Sequence, residues 1–148
     1  FHDKRTIPAY KKAILDSNLK VRYEAAYAIG RITDAQQDVL LACQTLKELA
    51  KDGYAQSITP ILIFKKNKKI SKDYTEHFLL ECLEYSDEEV RVSAAGTLKI
   101  WGITNQNIDT IIEKGLKSDK SRVKDMAISI LNAIGNKEKA KRESQKNK

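Results

Sequence analysis

The sequence has very little of the residue types on which most metal and acid–base sites depend. It contains two histidines, His2 and His77, and two cysteines, Cys43 and Cys82, in 148 residues. A structural zinc site takes about four such ligands, and proton transfer in active sites relies most often on histidine. We therefore expect no metal, no cofactor and no catalytic residue, and the chain is predicted not to be an enzyme.

Long apolar runs and strand-like alternation are also missing. No apolar run approaches the ~20 residues that a membrane-spanning helix needs. The one short run that would suit a strand, Ile61–Phe64, is ended at once by Lys65 and Lys66. With 41% hydrophobic residues, the chain is expected to fold as one all-helical domain without a membrane span.

What the sequence does contain is a repeated pattern anchored on three valines. Each valine is followed by a base, then four positions on by an alanine, and eight positions on by a large aliphatic residue. The members are Val21, Arg22, Ala25 and Ile29; Val90, Arg91, Ala94 and Leu98; and Val123, Lys124, Ala127 and Leu131. Recurrence at a period of a few tens of residues indicates stacked structural repeats.

The spacing of the valines predicts four repeats, one of them degenerate. Val90 and Val123 are 33 residues apart, whereas Val21 and Val90 are 69 apart. We therefore place two-helix repeats at about 6–33, 35–67, 71–102 and 104–135. In the second repeat, Pro60 would break the middle of a helix, so we expect that helix to begin late, at Ser57 or Thr59. Gly102 and Gly135 are expected to end the last two second helices.

The pattern resembles the HEAT repeat, including its bilin-lyase-like subgroup, through Leu15-Asp16, Val21-Arg22, Ala25-Ala26 and Gly30. The resemblance implies a right-handed α–α superhelix, or α-solenoid, of about four helical pairs over residues 1–135. It also implies binding or scaffolding rather than catalysis. Two other functions stay open by resemblance: a nucleic-acid-associated protein of the DNA-repair type, and an accessory subunit of a bilin lyase. The paired His-Glu motifs of HEAT-like iron hydroxylases are absent.

The in-register bases Arg22, Arg91 and Lys124 are interpreted as structural. In HEAT repeats this base pairs with an acid of the turn between the helices, and the acids available here are Asp16, Asp87 and Asp119. Exposed pairs of this kind stabilise a fold only modestly.

A stripe on the other side of each second helix is the candidate binding surface. It lies away from the valine–alanine face at 100° per residue, and on a solenoid it would line the concave side. Apolar and aromatic residues predominate at its start, which favours a protein or peptide partner. The stripe residues assigned to partner binding are Tyr23, Tyr27, Ile61, Phe64, Val92 and Lys99. The alternative is that neighbouring helices cover part of the stripe.

The net charge of +7 is concentrated in two segments. Residues 65–72 contain five lysines and no acid, and residues 136–148 carry six bases against two acids. The second segment is expected to be a disordered, basic tail. Phosphates or an acidic partner could be contacted by Lys65, Lys66, Lys68 and Lys69, with nucleic acid ranked behind protein as a partner.

Both cysteines fall among apolar neighbours in first helices and are predicted to be unpaired core thiols. Their axial offset, roughly 7.5 Å at the helical rise, does not suit a disulfide. Free thiols favour a reducing compartment, so we expect a cytoplasmic location. The first residue is Phe1, which indicates a trimmed start and leaves a removed signal peptide and a longer repeat array open. The oligomeric state is not predicted.

Overall fold

The computed structural model describes residues 3–146, and they form an all-helical domain. Over these residues there are eight α-helices and no strand. Predictions about His2, Phe1 and the last two residues of the tail lie outside the described residues. The helices are α1 Ile7–Ala13, α2 Leu19–Ile32, α3 Gln36–Lys51, α4 Ile58–Lys66, α5 Lys72–Cys82, α6 Glu88–Ile100, α7 Gln106–Leu116 and α8 Ser121–Lys146.

The helices pack as neighbours along the chain. Each helix contacts the next, and the even-numbered helices also contact one another in order, α2 with α4, α4 with α6 and α6 with α8. The odd-numbered helices α3 and α5 make a similar contact. Seven of the eight helices fall within the four predicted repeat ranges, and α8 extends beyond the last. The helical pairs are α1 with α2, α3 with α4, α5 with α6, and α7 with α8.

The repeated pattern supplies much of the core, although its first valine, Val21, is 39% exposed. Ala25, Ala94 and Ala127 are buried, and Ile29 and Leu98 are fully buried between the helices of their pairs. Leu131, at the equivalent place in α8, is 42% exposed, so its assignment to the core was wrong. No described helix follows α8 to cover that face, and Ile130 is the buried residue instead.

The second helix of the second pair, α4, begins late, as the position of Pro60 predicted. A short 3₁₀ turn, Ala55–Ser57, precedes α4, which begins at Ile58 with Ser57 as its N-cap residue. Pro60 is therefore the third residue of the helix. The first-turn N–H groups have no partner within a helix, so proline can be placed there without losing a hydrogen bond.

The two glycine stop signals have different outcomes. Gly102 has a φ of 85° and follows the end of α6, as predicted. Gly135 does not end α8, which continues as an exposed helix to Lys146. The segment predicted to be a disordered tail is thus helical over residues 136–146. Lys137 of this extension donates a 2.5 Å hydrogen bond from Nζ to the carbonyl oxygen of Ile100, at the C-terminal end of α6.

None of the helices over residues 3–146 has the length and apolar character that a membrane span requires.

Candidate interaction surfaces

The stripe proposed for partner binding is largely buried. Ile61 and Phe64 are 0% exposed and Val92 is 1% exposed, so these three residues cannot contact a partner in the folded chain. Their assignment to a binding surface was wrong. The alternative, that neighbouring helices cover the stripe, is correct for them.

The cause is close packing between even-numbered helices at glycine. Gly30 of α2 lies against the ring of Phe64 of α4, and a Cβ placed on Gly30 would overlap that ring. Gly96 of α6 receives the side chain of Ile130 of α8 in the same way. A glycine inside a helix is destabilising by about 1 kcal/mol relative to alanine, so both positions owe their glycine to this close approach. The stripe is the surface on which successive pairs stack.

Two tyrosines of the stripe remain partly accessible and belong to a larger group. We call Tyr23, Tyr27 and Tyr54 the tyrosine cluster. The ring of Tyr23 lies 6.3 Å from that of Tyr27 and 5.4 Å from that of Tyr54, measured between centroids. Partial burial, followed by the nearby Glu24 carboxylate, raises the pKa of Tyr23. Its hydroxyl is therefore protonated at neutral pH and can donate a hydrogen bond.

The cluster carries a cationic group on one side. The guanidinium carbon of Arg31 lies 5.4 Å from the centroid of the Tyr27 ring. Tyr54 was missed by the sequence interpretation because it lies in the turn before α4 and off the helical periodicity. Its nearness to Tyr23 results from the contact between the second and first pairs.

Further apolar surface lies on the opposite side of α2. A groove of about 360 Å³ between α1 and α2 is lined in part by Tyr10, Ala13 and Val21. In the turn between α1 and α2, Leu15 is 83% exposed, and Leu19 at the start of α2 is 38% exposed. The first helical pair therefore presents apolar surface on both sides of α2.

Lys99, the only base of the stripe, is not available to an anion. Its ammonium group forms an ion pair with Asp109 of α7, and its side chain is 25% exposed. This pair links α6 to the following helix. Lys99 is thus part of the packing between the third and fourth pairs.

Two of the in-register bases bind backbone carbonyls rather than acids of the turn. Arg22 donates from Nε to the carbonyl oxygen of Ile14 at 3.1 Å, and its Nη2 lies 3.1 Å from Oε2 of Glu48 in α3. Arg91 donates from Nη1 to the carbonyl oxygens of Tyr85 and Ser86 at 2.8 and 2.6 Å. Ile14 is the C-cap residue of α1, whose carbonyl lacks a partner within the helix, and Tyr85 and Ser86 lie in the turn between α5 and α6. Each guanidinium therefore satisfies carbonyls that no helix hydrogen bond uses. The predicted pairing with Asp16 and Asp87 was wrong, whereas a structural contact is present at both arginines.

The lysines of segment 65–72 have different environments. Lys69 is 14% exposed at its side chain, and its Nζ donates to the carbonyl oxygens of Gly30, Arg31 and Thr33 at 2.7, 2.9 and 2.8 Å. It closes the C-terminal end of α2 and was wrongly assigned to phosphate contact. The Nζ of Lys65 lies 4.5 Å from the centroid of the Trp101 ring. Lys66 and Lys68 are exposed.

A cavity lies beside this segment, between the N-terminal ends of α3 and α5. We call it the lysine cavity, and its volume is about 610 Å³. Four lysines line it, and no aspartate or glutamate does so among the described residues. The lining residues are Gln36, Leu40, Lys65, Lys68, Lys69, Ile70, Ser71, Lys72 and Tyr74. Sequence interpretation missed Gln36, which approaches the lysines only through the packing of α3 and α5, and Tyr74, which lies two residues after Lys72 in α5.

Both cysteines are free and fully buried, as predicted. Burial raises the pKa of the Cys43 and Cys82 thiols to about 12. The reactive thiolate is scarce at that pKa, so neither thiol is suited to nucleophilic chemistry.

We expect Cys43 and Cys82 to react with a disulfide reagent at pH 8 only when the chain unfolds. A pKa of about 12 in place of 9.0 lowers the thiolate fraction about a thousandfold, and burial blocks access as well. Thiol titration with and without urea tests this expectation. Rapid reaction of either thiol in the folded chain would contradict it.

Comparisons with known proteins add no assignment. The chain matched no protein-family model, no curated protein and no solved structure.

Proposed function

We propose that this chain is a non-catalytic protein-binding module, built as a curved, right-handed α-solenoid of four HEAT-like helical pairs. The order of packing supports the architecture, because each helix contacts the next and the even-numbered helices contact one another in sequence. Such arrays function mainly through extended surfaces. A cytoplasmic location belongs to the same proposal and is supported by the two free, buried cysteines.

The observation that carries the proposal is the tyrosine cluster on the first and second pairs. Tyr23, Tyr27 and Tyr54 are each half-buried. The rings of Tyr23 and Tyr27 pack against the core, the ring of Tyr54 packs against Tyr23, and part of each ring remains accessible. Tyrosine side chains held in this way provide a large contact area at little further loss of conformational entropy. Arg31 beside Tyr27 adds the residue type that, with tyrosine, is enriched at binding hot spots.

The rest of the original stripe has no part in this proposal. Its buried residues connect successive pairs, which leaves partner binding to the N-terminal half of the array. The exposed Leu15 and the groove between α1 and α2 enlarge the apolar surface of that half. Exposed apolar surface larger than a single side chain is typical of protein contacts.

We expect Tyr23→Ala combined with Tyr27→Ala to weaken the binding of a captured protein partner at least tenfold. Hot-spot aromatic residues contribute about 2 kcal/mol or more each. The partner would be captured with the purified chain after nuclease treatment, identified, and its affinity measured by calorimetry. Circular dichroism would establish that the helices of the double variant remain intact.

Tyr85→Ala is the matched control, because Tyr85 is also half-buried and packs on the core, but lies between α5 and α6. The affinity of the Tyr85→Ala chain for the partner should stay within about twofold of that of the unsubstituted chain, as for near-neutral interface changes. Equal loss in the control and in the double variant would refute the cluster as the binding surface.

The second candidate function is nucleic-acid association through the lysine-rich segment and the C-terminal extension. It is favoured by the exposed lysines at 66 and 68 and by the exposed basic helix over 136–146. The two candidates differ in salt dependence. Binding to phosphates releases counterions, so affinity would fall steeply with salt, whereas binding to the tyrosine cluster should depend on salt only weakly.

A further inference from the structure

The lysine cavity concentrates positive charge in a concave space of ligand size. Its volume of about 610 Å³ is within the range of small-molecule sites, roughly 300–1,000 Å³. Lys65, Lys68 and Lys72 contribute ammonium groups, and the nearest acid to the fourth lysine is Asp34, 3.6 Å from Nζ of Lys69 and outside the lining. A cleft lined by one charge sign raises the local concentration of ligands of the opposite sign.

Backbone groups of two helices add to this positive character. Helix α3 starts at Gln36, and the residue before it, Ala35, provides no side-chain cap. Helix α5 starts at Lys72 after its N-cap residue Ser71, whose side chain accepts only from the Tyr74 N–H. Gln36, Ser71 and Lys72 all line the cavity. First-turn N–H groups and the helix dipole both favour an anion at such a place.

Lys68 occupies a backbone conformation that lysine rarely adopts. Its φ is 58°, and it directly follows Asn67, the C-cap residue of α4, at the position that usually holds glycine. The turn is closed by hydrogen bonds from Lys68 N to the Lys65 carbonyl oxygen and from Lys69 N to the Phe64 carbonyl oxygen, at 3.0 and 2.9 Å. Glycine would adopt this conformation without the penalty that a Cβ brings. Lys68 therefore adopts this turn at a conformational cost, and its side chain lines the cavity.

We propose that the lysine cavity binds a small phosphorylated molecule, whose phosphate is held by Lys68, Lys72 and the first-turn N–H groups of α5. Lys65 faces the same space from its position beside Trp101, and Tyr74 supplies an aromatic wall. Lys69 stays on the carbonyls of α2 and serves as structure. This site lies on α3, α4 and α5, so it goes beyond the proposed binding of a protein at the tyrosine cluster.

The test uses the full chain and inorganic pyrophosphate as the probe, with binding measured by calorimetry. We expect Lys68→Gln combined with Lys72→Gln to weaken pyrophosphate binding at least about tenfold, because charge-assisted hydrogen bonds are lost. The matched control is Lys139→Gln combined with Lys141→Gln on the exposed extension of α8, which removes the same charge. The control should bind within about twofold of the unsubstituted chain, as near-neutral changes do.

A second variant separates the side chain of Lys68 from its backbone. Lys68→Gly should raise the melting temperature, since glycine tolerates a φ of 58°, and should still weaken pyrophosphate binding. A higher melting temperature with unchanged binding would overturn the proposal, because Lys68 would then have no role toward the ligand.

A single-stranded oligonucleotide distinguishes the source of the phosphate. If the cavity takes a free phosphorylated molecule, Lys68→Gln combined with Lys72→Gln should weaken pyrophosphate binding more than oligonucleotide binding, and the α8 control should bind pyrophosphate normally. The proposal is overturned if the unsubstituted chain does not bind pyrophosphate or binds only the oligonucleotide. It is also overturned if the cavity variant and the α8 control lose pyrophosphate affinity equally.

Discussion

Replacing Phe64 with alanine is expected to lower the free energy of unfolding by about 3–5 kcal/mol, as for other buried phenylalanines. Phe64 is 0% exposed, its ring lies on the backbone of α2 at Gly30, and Tyr27 lies 6.2 Å away between ring centroids. The substitution would leave a cavity between two helices that contact each other little elsewhere. Urea unfolding followed by circular dichroism measures the loss.

Leu40→Ala provides the comparison, since Leu40 is a large apolar residue in α3 that is 41% exposed. Its loss should be well below that at Phe64, because less surface is removed from contact. Equal losses at the two positions would contradict the packing described for α4.

Gly30→Ala tests the same contact from the other side. Its Cβ would overlap the Phe64 ring, so the substitution alone should destabilise by about 1–3 kcal/mol, as overpacking does. In a chain that already carries Phe64→Ala, the added methyl group has space, and the effect should largely disappear. A double-mutant cycle without coupling energy would show that the two residues do not meet.

Much of the fold could be predicted from the sequence because its determinants are local or periodic. The register of Val90, Ala94 and Leu98 placed one buried face on the second helix of a pair, and that face is buried. Pro60 restricted where α4 could begin, and the structure agrees. The all-helical fold is confirmed, whereas the superhelical path of the array and its likeness to HEAT repeats stay predictions.

The binding stripe could not be predicted in the same way. Helical periodicity shows which residues share a face, but not what covers that face. Phe64 of α4 and Val92 of α6 belong to the same predicted stripe as Tyr23 of α2 and are covered by neighbouring helices, whereas Tyr23 is covered only in part. A usable signal was present in Gly30, because glycine in the interior of a helix often marks a close approach of another element.

The roles of the lysines in segment 65–72 could not be predicted for a different reason. Its lysines are adjacent in sequence and look equivalent as charges, but their roles depend on groups far along the chain. The Nζ of Lys69 binds the carbonyl of Gly30, 39 residues away, and Lys65 lies over Trp101. Lys66 and Lys68 are exposed, and their side chains make no such contact among the described residues. Neither the sequence nor its composition reveals this difference. Only the packing of α2, α4 and α6 separates structural lysines from those that can bind a ligand.

Lys69→Met is therefore expected to lower the free energy of unfolding by about 1.5–3 kcal/mol, the range for hydrogen bonds to a charged group. Methionine keeps most of the side-chain volume but leaves the carbonyls of Gly30, Arg31 and Thr33 without the ammonium that now binds them. The positive charge also stabilises the C-terminal end of the α2 dipole.

Lys66→Met is the matched control, since Lys66 is the exposed last residue of α4 and loses the same charge. Its effect should stay within about 0.5 kcal/mol, as for most surface substitutions. Urea unfolding of both variants at two salt concentrations makes the comparison. The difference between them should persist at high salt, because Nζ of Lys69 is only partly accessible to solvent ions and its bonds are direct. If the two substitutions are equally mild, Lys69 is one more surface charge, and the end of α2 is held by its remaining contacts alone.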